Sequence, residues 1–140
     1  MSDRFFLDTN VIVYLFDPAS PQKADRAALL LRHAKRTGKG AISYQVIQEF
    51  FNVARKHSQG PMGANEALRF LAEVLEPLCA VHSSPALFRR AIQLVERFQL
   101  HWYDALVVAG ALEAQCKILY SEDFQSGQKF DGLEVLNPFL

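Results

Sequence analysis

The feature that most constrains this chain is a unit that recurs along it: a short, continuous apolar run, then a capping or charged residue, then a longer stretch at helical spacing. Arg4-Phe5-Phe6-Leu7 stops at Asp8-Thr9-Asn10, three residue types that cap helices, and reads as a buried strand handing over to a helix at Val11. Gln22 to Lys35 sets Ala27, Leu30, Leu31 and Ala34 at helical spacing and is closed by Gly38 and Gly40. Ala41-Ile42 is a brief strand, and Ser43 opens a helix with Val46, Ile47, Phe50, Phe51, Val53 and Ala54 on one side. Gly60-Pro61 and Gly63 punctuate the chain before a helical run from Ala64 to Leu75 and a strand at Leu78-Cys79-Ala80-Val81. Pro85 then sits at the first position of a helix through Phe98. Tyr103-Asp104 opens a helix, Ala105 to Gln115, that is apolar almost all round and therefore central. Ile118-Leu119-Tyr120 is a strand ending in Ser121-Glu122-Asp123, and Leu133 to Leu136 is the last strand before Asn137-Pro138. Strands without polar alternation are buried on both faces. The pattern predicts an α/β domain of three layers, with a central parallel sheet of about five strands flanked by helices. A length of 140 residues predicts one domain spanning residues 1–140.

Composition narrows the function. Half the residues are hydrophobic and 21% are charged, enough to fill a core, which excludes disorder and collagen-like repeats. The longest apolar runs, such as Val11 to Phe16 and Ala105 to Leu112, are too short to span a membrane, and the start of the chain lacks a signal peptide's apolar stretch. Cys79 and Cys116 form no metal or redox motif and read as reduced core residues. The expectation is a soluble cytoplasmic protein. Net charge is zero but graded: +4 over residues 1–60, 0 over 61–99 and −4 over 100–140. A protein that coats nucleic acid would be basic throughout, so only a local strip remains for that purpose: Lys23, Arg26, Arg32, Lys35, Arg36 and Lys39.

In a parallel sheet, ligands bind beyond the carboxyl ends of the strands. Asp8 follows the first strand and Asp123 the strand at 118–120; Glu49 lies early in the helix after Ala41-Ile42, and Asp104 opens the central helix. All four belong to one edge of such a sheet. Carboxylates gathered there repel one another and bind a hard divalent cation, which is how proteins activate water against a phosphodiester. Each also has a structural explanation: Asp8 and Asp104 as helix caps or first-turn acids, Glu49 as a solvated charge at the margin of an apolar stripe, Glu122-Asp123 as an ordinary loop.

The local sequences around these acids add to the case. Phe6-Leu7-Asp8-Thr9-Asn10-Val11-Ile12-Val13-Tyr14 resembles the opening motif of PIN-domain ribonucleases. Gln48-Glu49-Phe50, Trp102-Tyr103-Asp104-Ala105-Leu106-Val107-Val108-Ala109 and Leu119-Tyr120-Ser121-Glu122-Asp123-Phe124 are similar to their second, third and fourth motifs, in order. Order, spacing and length resemble the VapC-type toxins of type II toxin–antitoxin operons. The resemblance implies a PIN-like fold in which Asp8, Glu49, Asp104 and Asp123 hold one or two Mg²⁺ or Mn²⁺ ions. It places Thr9 or Asn10 at the polar position beside the first acid, Ser121 at the hydroxyl position of the last motif, and Glu122 as an extra acid there. It further implies an endoribonuclease that cuts structured RNA, often transfer or ribosomal RNA, forms dimers, and is silenced by a small antitoxin.

Competing constellations are weaker. His33, His57, His82 and His101 show no metal spacing, Ser43 reads as a helix cap, and Gly38-Lys39-Gly40 ends a helix instead of opening one around a phosphate. The aromatic pairs Phe5-Phe6, Phe50-Phe51 and Trp102-Tyr103 read mostly as core, with stacking of Trp102 or Tyr103 on a base near the acids as the alternative. A receiver-like signalling module would need an Asp after the third strand and a Lys after the fifth, where this chain has Val81-His82-Ser83 and Asn137-Pro138. A catalytically silent PIN-like scaffold that binds partners is the other alternative.

Overall fold

A computed structural model of the chain describes residues 3–56 and 60–140. His57 therefore lies outside the described residues. The first strand, β1 (Phe5–Leu7), is wholly buried, and its two phenylalanines show why. Successive side chains leave a strand on opposite faces. Phe5 stacks on His33, ring centroids 5.5 Å apart, on one side. Phe6 lies on the other side, where Gly110 lets a second helix approach until the ring is 3.7 Å from the place a Cβ would occupy.

The chain continues through α1 (Thr9–Val13), a 3₁₀ turn (Tyr14–Phe16), α2 (Pro21–Thr37), β2 (Gly40–Ser43), α3 (Tyr44–Ala54), α4 (Ala64–Phe70), a π-helical turn (Leu71–Leu75) and α5 (Glu76–Leu78). It finishes with β3 (Cys79–Val81), α6 (Pro85–Phe98), α7 (Trp102–Glu113), β4 (Ile118–Tyr120), β5 (Lys129–Phe130) and β6 (Leu133–Leu136). Caps fix the helix starts: Ser43 Oγ accepts from the Val46 N–H at 3.3 Å and Ser84 Oγ from the Leu87 N–H at 3.1 Å. The helical run expected over 64–75 extends to Leu78 by way of the π turn. Pro77 brings no N–H to the helical ladder, and just before it the Glu76 N–H reaches back to the Leu71 carbonyl, a wider closure than an α-helix makes.

The strands lie in the order β3-β2-β1-β4-β6-β5, all parallel except β5, which runs antiparallel to β6. The sheet thus has six strands among the described residues, not about five. The additional strand is two residues long, too short for any periodicity, and is tied to β6 through Asp131 and Gly132, both at positive φ. Strand order reverses at β1: β2 follows on one side and β4 on the other. The crevice between the carboxyl ends of β1 and β4 is therefore the switch point at which such sheets bind ligands. Helix α7 is buried at every position from Ala105 to Ala111, central as its composition predicts.

Gly40 shows how tightly α2 is seated. A Cβ there would stand 2.3 Å from Ala34 Cβ and 3.0 Å from its Cα, closer than atoms pack. Gly40→Ala is expected to destabilise the fold by about 1–3 kcal/mol, read as a lower urea midpoint at unchanged slope. An unchanged midpoint would mean that α2 does not rest on β2 so closely.

Candidate active site

Asp8 is the buried centre of the switch point, 3% exposed and one residue beyond β1. It caps α1, as its residue type predicts: Oδ1 accepts the Thr9 N–H at 2.7 Å. Its other oxygen faces the end of β4, where the Ser121 hydroxyl donates to Oδ2 at 2.7 Å. Ser121 is itself fully engaged, accepting from the Asp123 N–H at 3.0 Å and from Asn10 Nδ2 at 3.4 Å. Asn10 also donates to Asp8 Oδ2 at 3.4 Å and accepts the Glu122 N–H at 3.3 Å. The ladders of β1 and β4 run straight into this knot, through Asp8 N–H to the Tyr120 carbonyl and Ser121 N–H to the Leu136 carbonyl.

Glu49 arrives from α3. Its Oε1 accepts from the Thr9 hydroxyl and from Gln45 Nε2, each at 3.1 Å, and Gln45 bridges onward to the Tyr103 carbonyl at 3.2 Å. Glu49 is thereby joined to the start of α1 on one side and, through Gln45, to the first turn of α7 on the other. Asp104 stands in that first turn, but the N-cap is His101, so Asp104 is a dipole-favoured acid and not the cap. Asp123 is exposed on the loop after β4. Thr9, Asn10, Tyr14, Asp17, Glu49, Asn52 and Asp123 line an open cleft of about 480 Å³.

The electrostatics show mutual strain. Burial pushes the Asp8 carboxyl up to about 7; the bonds from Ser121 and Thr9 oppose this, and the charges of Asp123 and Glu49 add to it. Asp104 is also raised, by burial and then by Asp123, with His101 opposing. The charge of Asp123 therefore reaches both Asp8 and Asp104, and that of Glu49 reaches Asp8. Among the described residues the side-chain ion pairs are Lys23–Glu122 and Arg97–Asp131, and neither involves these four acids. Nor do any three His, Cys, Asp or Glu side chains among the described residues stand close enough to enclose an ion unaided. An all-oxygen donor set of this kind fits Mg²⁺ or Mn²⁺, hard ions that keep several waters and need only one or two direct carboxylates. It does not fit a soft metal.

Glu122 does not join the four acids. Its Oε1 accepts from the Tyr14 hydroxyl at 2.6 Å and its Oε2 from Lys23 Nζ at 2.5 Å. Burial alone would raise this carboxyl, but the bonds from Lys23 and Tyr14 outweigh it and hold the group below its ordinary value. Gln45 is absent from the sequence reading, and Lys23, named only in the basic strip, and Tyr14, named only as the end of the first motif, carry no sign there of a role at Glu122. Gln45 was detectable as the residue four before Glu49 on one helix face; Tyr14 and Lys23 reach Glu122 across 108 and 99 residues and carry no local signal.

The family model for the PIN domain matches residues 5–128. The chain belongs to the PIN domain family. The fold agrees: a toxin–antitoxin complex from Klebsiella pneumoniae superposes with a TM-score of 0.67 at 20% identity, covering 95% of this chain and 96% of that one. Mycobacterium tuberculosis VapC20, a toxin that cleaves the sarcin-ricin loop, gives 0.61 at 19% identity over 85% and 89% of the two chains. FitAcB from Neisseria gonorrhoeae gives 0.63 at 15% identity over 96% and 98%. No curated protein matches the chain in sequence. The PIN-domain fold expected from the sequence is thus in place. No helix among the described residues is long and apolar enough to cross a membrane.

Ser43 is a cap, Cys116 is buried and its thiol pushed up to about 11 by that burial, and Cys79 and Cys116 are both free. Trp102 and Tyr103 are exposed on the first turn of α7, beside Asp104. Of the basic strip, Lys23 is committed to Glu122, while Arg26, Arg32, Lys35 and Arg36 are exposed along α2.

Proposed function

We propose that this PIN domain is a metal-dependent endoribonuclease acting in the cytoplasm as the toxin of a toxin–antitoxin pair. One observation carries the reading: at the switch point the buried Asp8, just beyond β1, feels the charges of Glu49 and Asp123, Asp123 also acts on Asp104, and none of the four carboxylates is in an ion pair among the described residues. Asp8, Glu49, Asp104 and Asp123 would hold Mg²⁺ or Mn²⁺, which when bound supplies a water of lowered pKa and offsets charge on a phosphate. Ser121 and Asn10 aim Asp8, Thr9 and Gln45 aim Glu49, and the exposed face of Asp123 admits the RNA. Water is then the nucleophile in an in-line displacement, and the ribose 2′-hydroxyl is a spectator.

The reading also includes an antitoxin. A second, mostly apolar cleft of about 200 Å³, lined by Phe16, Phe50 and Met62, adjoins the acidic one and shares Val13, Asp17 and Val53 with it. A small partner that buries apolar side chains there brings a basic side chain within reach of the acids, and Arg suits a bidentate carboxylate contact. The structural relatives that are toxin–antitoxin complexes support this partner, and a homodimer is part of the same proposal.

The test is the chemistry of the cut. Fragments of structured RNA, transfer or ribosomal, should carry a 5′-phosphate and a 3′-hydroxyl, and cleavage should cease with chelator or with the product of a small neighbouring gene. A 2′,3′-cyclic phosphate end would sink the mechanism. RNA left intact by the metal-loaded protein would favour a partner-binding scaffold.

A further inference from the structure

The loop that carries Ser121 and Asp123 is clamped from outside the acid cluster. Glu122, the residue between them, turns away from Asp8 and receives two donors at once, the Tyr14 hydroxyl and the Lys23 ammonium. Lys23 Nζ also contacts the Tyr14 oxygen at 3.2 Å and lies 4.5 Å over the Tyr14 ring and 5.4 Å from the Phe139 ring centroid. Tyr14 and Phe139 pack edge to face at 4.9 Å. The turn after α1 and the start of α2 thus converge on a carboxylate of the loop after β4, and the C-terminal tail packs Phe139 behind the two donors. On the inner side of the same loop, the Glu122 N–H is held by Asn10 and the Asp123 N–H by Ser121.

Such an arrangement has two effects. It sets the backbone of residues 121–123, and with it the Ser121 bond to Asp8 and the stance of Asp123. It also withdraws a hard anionic donor that would otherwise lie one residue from Asp123, and it leaves a cation at the rim in its place. We propose that Tyr14 and Lys23 are positioning residues: through Glu122 they latch the loop after β4 and keep a fifth carboxylate out of the ion site. The inference rests on the metal-dependent reading above.

The signs of the expected effects follow from charge. Removing Lys23 deletes a positive charge near the site and leaves Glu122 uncompensated and held by Tyr14 alone, so the ion binds tighter while its placement is spoiled. Lys23→Met should tighten Mn²⁺ binding several-fold by calorimetric titration, lower kcat on RNA at least tenfold and leave KM for RNA unchanged. A merely structural lesion would weaken both binding and turnover. Adding Glu122→Gln to Lys23→Met removes the uncompensated charge and should return Mn²⁺ affinity to within about twofold of wild type.

Hydrogen exchange reads the latch without metal. In Lys23→Met and in Tyr14→Phe, the amides of Glu122 and Asp123 should exchange at least tenfold faster, with those of β1 and α7 unchanged. Unchanged loop exchange overturns the latch whatever the wild type does to RNA. So does loss of Mn²⁺ binding in Glu122→Gln alone, which would make Glu122 a ligand. A wild type that cuts no RNA but shows the faster loop exchange and tighter Mn²⁺ binding in Lys23→Met would refute the nuclease and uphold the latch.

Discussion

Asp104→Asn is expected to abolish metal-dependent cleavage while leaving the metal-free fold as stable as before. Asn keeps the size and polarity of the side chain in the first turn of α7, where Asp104 takes no capping bond of its own. What is lost to the helix is a dipole interaction of roughly 0.3–1 kcal/mol. Against that loss stands a gain, because burial and the charge of Asp123 both disfavour the ionised Asp104. The two oppose each other, so the apo melting temperature should hold or rise slightly. Activity behaves differently: deleting one preorganised electrostatic group from a site of this kind costs ~10²–10³ in kcat. Stabilisation by Mg²⁺ or Mn²⁺ should shrink in the same variant, which ties the lost activity to the lost ion. An Asp104→Asn protein with normal metal-dependent cleavage would remove Asp104 from the site.

The contribution of Asp8 to the stability of the metal-free protein should fall as pH rises from about 4 to about 7. The carboxyl rises from 3.8 to about 7 on folding, so within that window the folded chain keeps a proton that the unfolded chain has released. Each unit of such a shift is worth about 1.4 kcal/mol, which makes Asp8 a destabilising element of several kcal/mol at pH 8. Other carboxyls, among them Glu122 and Asp131, shift downward and act oppositely. The clean measurement is therefore the urea midpoint of wild type minus that of Asp8→Asn, which should decline across the window. A bound cation reverses the trend, since it competes with the proton for the same oxygens. Saturating Mn²⁺ at 100 times its dissociation constant should add about 2.7 kcal/mol at pH 8 and much less at pH 5. A flat difference curve, or equal metal stabilisation at both pH values, would contradict the burial and repulsion ascribed to Asp8.

Much of this architecture was legible in the sequence, for reasons that can be named. The strands at Ile118–Tyr120 and Leu133–Leu136 and the helix at Pro85–Phe98 have the predicted bounds, because abrupt polar residues or a Ser-Pro cap delimit each apolar run. Topology alone predicts that the four acids lie towards one edge of the sheet. Parallel strands share their carboxyl ends, and that rule needs no contact information. What escaped was of two kinds. The strand Lys129–Phe130 has no pattern of its own, although Asp131-Gly132 is a strong hairpin signal that marks its turn. The partners of Glu122 escaped because a carboxylate beside Asp123 looks like a fifth ligand until Tyr14 and Lys23, brought near only by folding, are seen to hold it. The π turn before Pro77 belongs with the first kind, a local irregularity that helical periodicity does not encode.

The sheet ends in strands of two and three residues, β5 and β3. Exposed strand edges are templates on which chains add to one another, and proteins blunt them by keeping them short. Here neither border offers a run long enough for another copy, or an extended peptide, to continue the ladder. Helix faces and side chains are the surfaces that favour assembly. Its specificity then lies in shape and charge, which sequence drift alters gradually, and not in backbone pairing, which accepts almost any strand.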